Sequence, residues 1–303
     1  MNAHFFSRPI KRHPLAGYFA LTFAISWGIV LGVLALGGEG LVPSEQKAEE
    51  LLPLVVLGMV AGPGIAGLVC CAVIDGRSGL HELRQRLFRW RVNWGWYVLA
   101  FLGLPAMAAA VLVVLQPLSD DFTPGIVDAG NRWALVAGGV VAGLSAGIFE
   151  EVGWTGFATP RLRRRHGLLA GGLILGFLWG AWHYVTALVG SGTETGGVSL
   201  SLFLAMMLFY VAVLPPVRVL MAWVHDRTQS LLILVVMHCS LTGNVLFILM
   251  PEDPSPATLA AWYAGIALLA WAAVLLLAFR PRPEPLAQPL PAAGRHVRTA
   301  ARQ

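Results

Sequence analysis

Three stretches of this chain, Leu15–Leu36, Leu51–Ile74 and Trp94–Leu115, carry no charged side chain at all. Each supplies the roughly 20 apolar residues that a helix needs to cross a bilayer. In hydrocarbon every backbone N–H and C=O must be satisfied within the segment, so such stretches can only be helices. Five further apolar blocks follow: Trp133–Thr159, interrupted only by Glu150 and Glu151, then Gly167–Gly190, Leu200–Val217, Ser230–Met250 and Ala257–Phe279. The expected fold is therefore all-α, a polytopic membrane protein of eight transmembrane helices. With 57% apolar and 12% charged residues and a mean hydropathy of +0.70, a water-soluble domain is excluded.

Charge placement sets the expected orientation. Alternating the connections between two sides puts 19 of the 21 Lys and Arg residues on one side, with Lys47 and Arg132 opposite among ten acidic residues. Basic loops stay in the cytoplasm, so both termini are expected there. Cytoplasmic arginines facing anionic headgroups account for the net charge of +5, and no nucleic-acid platform is apparent; membrane lipid is the expected partner. The first span is too long for a signal-peptide core and reads as retained. Cys70, Cys71 and Cys239 lie within spans without disulfide or metal-ligand spacing and read as core residues. The expected organisation is a cytoplasmic segment over 1–14, one membrane domain over 15–279 and a disordered tail over 280–303. Arg84–Arg91 suits a short amphipathic helix at the cytoplasmic interface.

Four ionisable groups on three spans, the fourth, fifth and seventh, are what such a chain must explain: Glu150, Glu151, His183 and His238. A carboxylate in hydrocarbon costs several kcal/mol, about 3 at mid-bilayer by insertion scales, so these groups face partners or a wet cavity. At about 100° per residue, Gly139, Gly143, Ala146 and Glu150 share one stripe, and small residues at that spacing mark close helix approach. Glu150 then points into the bundle, with Glu151 beside Thr155 as its supporting group. Gly172, Gly176 and His183 share a face of the next span, and His238 shares one with Thr242, while Asn244 falls about 120° away. Measured from the Arg163–Arg165 cluster, Glu150 lies about 20 Å along its helix and His183 about 27 Å, so meeting requires a break near the start of the fifth span, expected at Gly171–Gly172.

Two chemistries suit one carboxylate and two imidazoles in a partly dry cavity. A buried glutamate can take a proton from water while one histidine holds that water and another stabilises an oxyanion. Alternatively, Glu150, His183 and His238 form a site for a divalent metal such as zinc, with an open position that activates water. Both lead to amide hydrolysis, and the residues do not choose between them. A proton-coupled transporter using the same groups as a relay is a third reading, against which the lack of internal repeats counts.

The segment from Glu150-Glu151 through Gly153-Trp154-Thr155-Gly156-Phe157 to Pro160-Arg161-Leu162 resembles the first motif, EExxxR, of the CAAX prenyl protease and bacteriocin-processing (CPBP, or Abi) family of intramembrane proteases. Trp179-Gly180-Ala181-Trp182-His183 looks like its second motif, FxxxH, and Arg227-Thr228-Gln229-Ser230 ahead of His238 resembles its third block, RTxS before HxxxN. The resemblance covers residues 133–245. It implies an eight-helix fold and an endopeptidase acting on a membrane-associated peptide or protein, with Glu150 as base, His183 as its partner, and His238 with Thr242 or Asn244 as oxyanion clamp. Three departures stand out. Thr155 replaces the motif arginine, leaving Glu151 without its expected counter-ion. Trp179 replaces phenylalanine, which reads as packing. Thr242 replaces asparagine, which removes an oxyanion donor and keeps alive a non-catalytic scaffold or immunity protein of the same fold.

Overall fold

The computed structural model describes residues 10–38 and 40–279, so the expected tail lies outside the described residues. Within them the chain is an all-α polytopic membrane protein, with one isolated bridge between Gly192 and Val198. Helix α1 spans Pro14–Leu36, α2 Glu45–Ile74, α3 Gly76–Leu87 and α4 Gly95–Leu115. After a connection, α5 (Arg132–Gly153) runs through a π-helical segment, Trp154–Ala158, into α6 (Thr159–Trp182) and the short α7 (Tyr184–Gly190). Helix α8 (Leu200–Leu208) continues through a second π segment, Phe209–Val213, into α9 (Leu214–Thr228). Helix α10 (Leu231–Ser240) ends in a third, Leu241–Leu249, and α11 (Pro256–Ala278) closes the chain.

Among the described residues, seven helices are long and apolar enough to span a membrane, and one of them is the 59-residue run Arg132–Gly190. That run contains the expected fourth and fifth spans. Gly167 takes φ 80° and ψ −176°, a conformation open to glycine, and folds the chain back so that Gly171 faces the Leu162 carbonyl. The break thus falls at Gly167, four residues before the expected site. Helix α3 also differs from expectation: it stops at Leu87, leaving Phe88 and Trp90 exposed beyond its end.

The sixth span differs more consequentially. Its helix continues past Val217 to Thr228, because Val219, Leu220, Met221 and Ala222 prolong the apolar run beyond Arg218. Arg218 is therefore no loop arginine. It is fully buried inside the bundle, so one of the 19 basic residues counted on the expected cytoplasmic side belongs to the interior.

Prolines inside these helices each free a carbonyl four residues back. Neighbouring helices recover four of these carbonyls. Pro63 frees Met59 O, which accepts from Ser26 Oγ of α1 at 2.7 Å. Pro105 frees Phe101 O, which accepts from Ser240 Oγ of α10 at 2.5 Å. Pro216 frees Ala212 O, which accepts from Trp271 Nε1 of α11 at 3.0 Å. Pro160 frees Gly156 O, which accepts from Arg86 of α3 at 3.1 Å. Since nothing in hydrocarbon could hydrate these oxygens, each kink becomes a specific inter-helix tie. Burial lowers the Arg86 pKa from its ordinary value, while Glu82, 3.6 Å from its Nε, pulls the other way.

The glycine stripes do what their spacing suggests. A side chain on Gly139 or Gly143 would collide with the Gly243 or Cys239 carbonyl, so α5 packs backbone to backbone on α10 and its π segment. Gly172 and Gly176 bring α6 equally close to Val219 and Pro215 of α9. These two approaches place α5, α6, α9 and α10 around one interior point.

Candidate active site

Glu150 and Glu151 end α5 where it widens into the first π segment, and both are buried at 3% and 0% exposure. Such one-turn widenings recur at functional sites because they re-aim side chains without ending the helix. Glu150 Oε2 accepts from Trp154 Nε1 at 3.0 Å and from Trp179 Nε1 at 2.9 Å. Its other oxygen has no hydrogen-bond partner among the described residues. His238 Nε2 stands 3.9 Å from Glu150 Oε2, a gap in which one water could touch both groups.

Glu151 is tied on every side. It accepts three contacts of 3.1 Å from the Arg218 guanidinium, one from His238 Nδ1 at 2.8 Å and a very short one from Thr155 Oγ1. The expected loss of its counter-ion is thus corrected: Thr155 does replace the motif arginine, but a buried arginine from α9 occupies the carboxylate instead. Breaking such a pair would leave a carboxylate stranded in hydrocarbon, which makes both partners costly to remove.

Trp179 joins the parts. Its ring lies under the Arg218 guanidinium at 4.1 Å and touches the rings of His238 at 5.1 Å and His183 at 6.0 Å, while its N–H serves Glu150. Reading it as packing alone is therefore corrected. The depth arithmetic explains its place: counted from the arginine cluster, Trp179 and not His183 is level with Glu150. His183 lies one turn farther, at the joint between α6 and α7, with Nδ1 donating to Trp179 O at 2.8 Å and its ring stacked on Tyr210 at 4.5 Å. That leaves Nε2 as the nitrogen free to accept.

Thr242 makes no side-chain hydrogen bond among the described residues, and Asn244 donates to Ser240 Oγ at 3.0 Å, toward the tie with α4. No hydrogen bond connects either to the Glu–His cluster. Arg218 and Tyr210 were missed from the sequence. A lone arginine between Val217 and Val219 was a usable signal, since flanking apolar residues continue on both sides; Tyr210 offered none.

Among the described residues, no group of three or more His, Cys, Asp and Glu side chains stands close enough to hold a metal ion. Two indoles already occupy Glu150 Oε2, while the Nδ1 contacts of His183 and His238 leave each imidazole its Nε2. Glu150, His183 and His238 do not stand as one such group.

Residues 132–243 match the family model described as Type II CAAX prenyl endopeptidase Rce1-like. The chain is also similar to "CAAX prenyl protease 2" of Methanococcus maripaludis, 21% identical over 262 residues, covering 86% of this chain and 92% of the relative.

Proposed function

We propose that this chain, whose residues 132–243 match the Type II CAAX prenyl endopeptidase Rce1-like model, is an intramembrane endopeptidase of the CAAX type at the cell membrane, with both termini in the cytoplasm. Its substrate would be a membrane-associated peptide or protein. The observation that carries this reading is the buried cluster in which Glu150 accepts from Trp179 of α6 while the adjacent Glu151 accepts from Arg218 of α9 and His238 of α10.

In the proposed reaction a water beside Glu150 is deprotonated as its oxygen attacks the scissile carbonyl carbon. His183 Nε2 accepts the second water proton as a hydrogen bond and so fixes the direction of attack. The carbonyl oxygen becomes an oxyanion. With Nδ1 held by Glu151, His238 can donate from Nε2 only as an imidazolium, and the Glu151 carboxylate at 2.8 Å supplies the counter-charge. Thr242, one turn along α10's continuation, offers a second donor. Collapse of the tetrahedral intermediate breaks the C–N bond, and the proton held by Glu150 passes to the departing amine. The two indole N–H groups orient Glu150 throughout without competing as bases.

The test uses purified full-length protein and a farnesylated peptide ending in a CAAX box. Glu150→Ala is expected to lower kcat by about 10²–10⁴-fold, the usual worth of a positioned base. Turnover equal to wild type would refute the assignment. A second reading, a non-catalytic membrane protein of this fold, is favoured by one observation: Asn244 is engaged with Ser240 and Thr242 holds no partner among the described residues. Activity created by Thr242→Asn in a silent wild type would support that reading.

A further inference from the structure

We infer that Arg218 is the positioning residue of this site, supplying from α9 the counter-charge that position 155 lacks and setting both catalytic arms at once. Three features carry this. Arg218 is fully buried and its fork is spent on Glu151, the carboxylate that holds His238 Nδ1. The same guanidinium lies 4.1 Å over Trp179, whose indole N–H holds Glu150. Thr155 Oγ1 lies 3.5 Å from the guanidinium and bonds Glu151 as well, so the place a motif arginine would fill is bridged by a hydroxyl reaching the relocated charge.

One cation thus acts along two routes: through Glu151 to the orientation of His238, and through the Trp179 face to Glu150. A guanidinium suits this double task because it is planar, forks onto a carboxylate and stacks flat on an aromatic ring, whereas an ammonium can sit over the ring but has no fork for the carboxylate. Its remaining donor, Nε, is buried with no hydrogen-bond partner, so two good contacts were kept at the expense of a third.

The assignment rests on the hydrolytic reading for its kinetic arm only. The test compares wild type, Arg218→Ala, Arg218→Lys and the exchange Thr155→Arg/Arg218→Ala. The exchange moves the guanidinium one helical turn from Glu151 at roughly conserved volume. Nitrogen-15 spectra of histidine-labelled protein report whether His238 keeps a hydrogen-bonded Nδ1–H, and farnesylated CAAX peptide reports kcat and KM. Arg218→Ala is expected to lose the His238 signature and about a hundredfold or more in kcat, with KM within about threefold. Arg218→Lys should keep the charge but not the fork and fall between. The exchange should regain the signature and about tenfold or more of the lost kcat. If Arg218→Ala does not fold, the lysine variant and the exchange carry the comparison. An Arg218→Ala protein with an unaltered His238 signature and turnover, or a folded exchange that regains neither, overturns the inference. A wild type that cleaves no peptide while the signature still follows Arg218 supports the positioning role and counts against proteolysis.

Discussion

Trp179 donates to Glu150, supports the Arg218 guanidinium and contacts both imidazoles, and a single substitution separates these roles. Trp179→Phe keeps an aromatic face under Arg218 but removes one of the two N–H groups on Glu150 Oε2. Hydrogen bonds to a charged group are worth about 1.5–3 kcal/mol, so kcat should fall by roughly 10–100-fold while the protein stays folded. Unchanged kcat would mean that the indole is there for packing. Residues of this kind explain what a reader of the sequence could and could not see. Glu150, Glu151 and His238 were visible because charge in an apolar run is conspicuous. Arg218 is also conspicuous, but a charge directly after the apolar block Leu200–Val217 reads as the end of a span, although Val219–Ala222 continue it. The N–H of Trp179 acquired a role only through a contact across α5 and α6, which no local pattern encodes.

Helices in this bundle are joined where prolines interrupt them, so their ties can be cut singly. Ser240 Oγ caps the Phe101 carbonyl left open by Pro105 and also accepts from Asn244. Ser240→Ala orphans both groups in a setting without water, costing about 1–3 kcal/mol, or several degrees of apparent melting temperature in detergent. Ser78→Ala, whose hydroxyl donates to Asp75 O at an exposed turn, is the control and should melt with wild type. Equal melting of Ser240→Ala and wild type would remove the kink ties as a source of stability. The spans themselves were legible, since hydropathy and length govern them. The three π segments were not, because a one-residue widening leaves no trace in an apolar pattern. One of them, Leu241–Leu249, rotates Asn244 away from where an ideal helix would carry it.

Across the whole molecule, basic residues concentrate where the expected cytoplasmic connections lie, and this yields a test of topology. Tags on the two termini should be accessible from the same side. In a background lacking Cys70, Cys71 and Cys239, cysteine placed at Arg165 should be labelled from that side and cysteine at Ala129 from the other; tags on opposite faces would contradict the proposed arrangement. The bundle can turn its few titratable groups inward because glycine stripes let α5 approach α10 and let α6 approach α9. Whether that shared interior performs hydrolysis is read most directly from the oxygen it installs. A farnesylated CAAX peptide is incubated with the purified protein in oxygen-18 water, and the released carboxylate is weighed by mass spectrometry. The expected result is one heavy oxygen in the wild-type product and no product above background from Glu150→Gln. Equal labelled product from both proteins would contradict a water activated at Glu150.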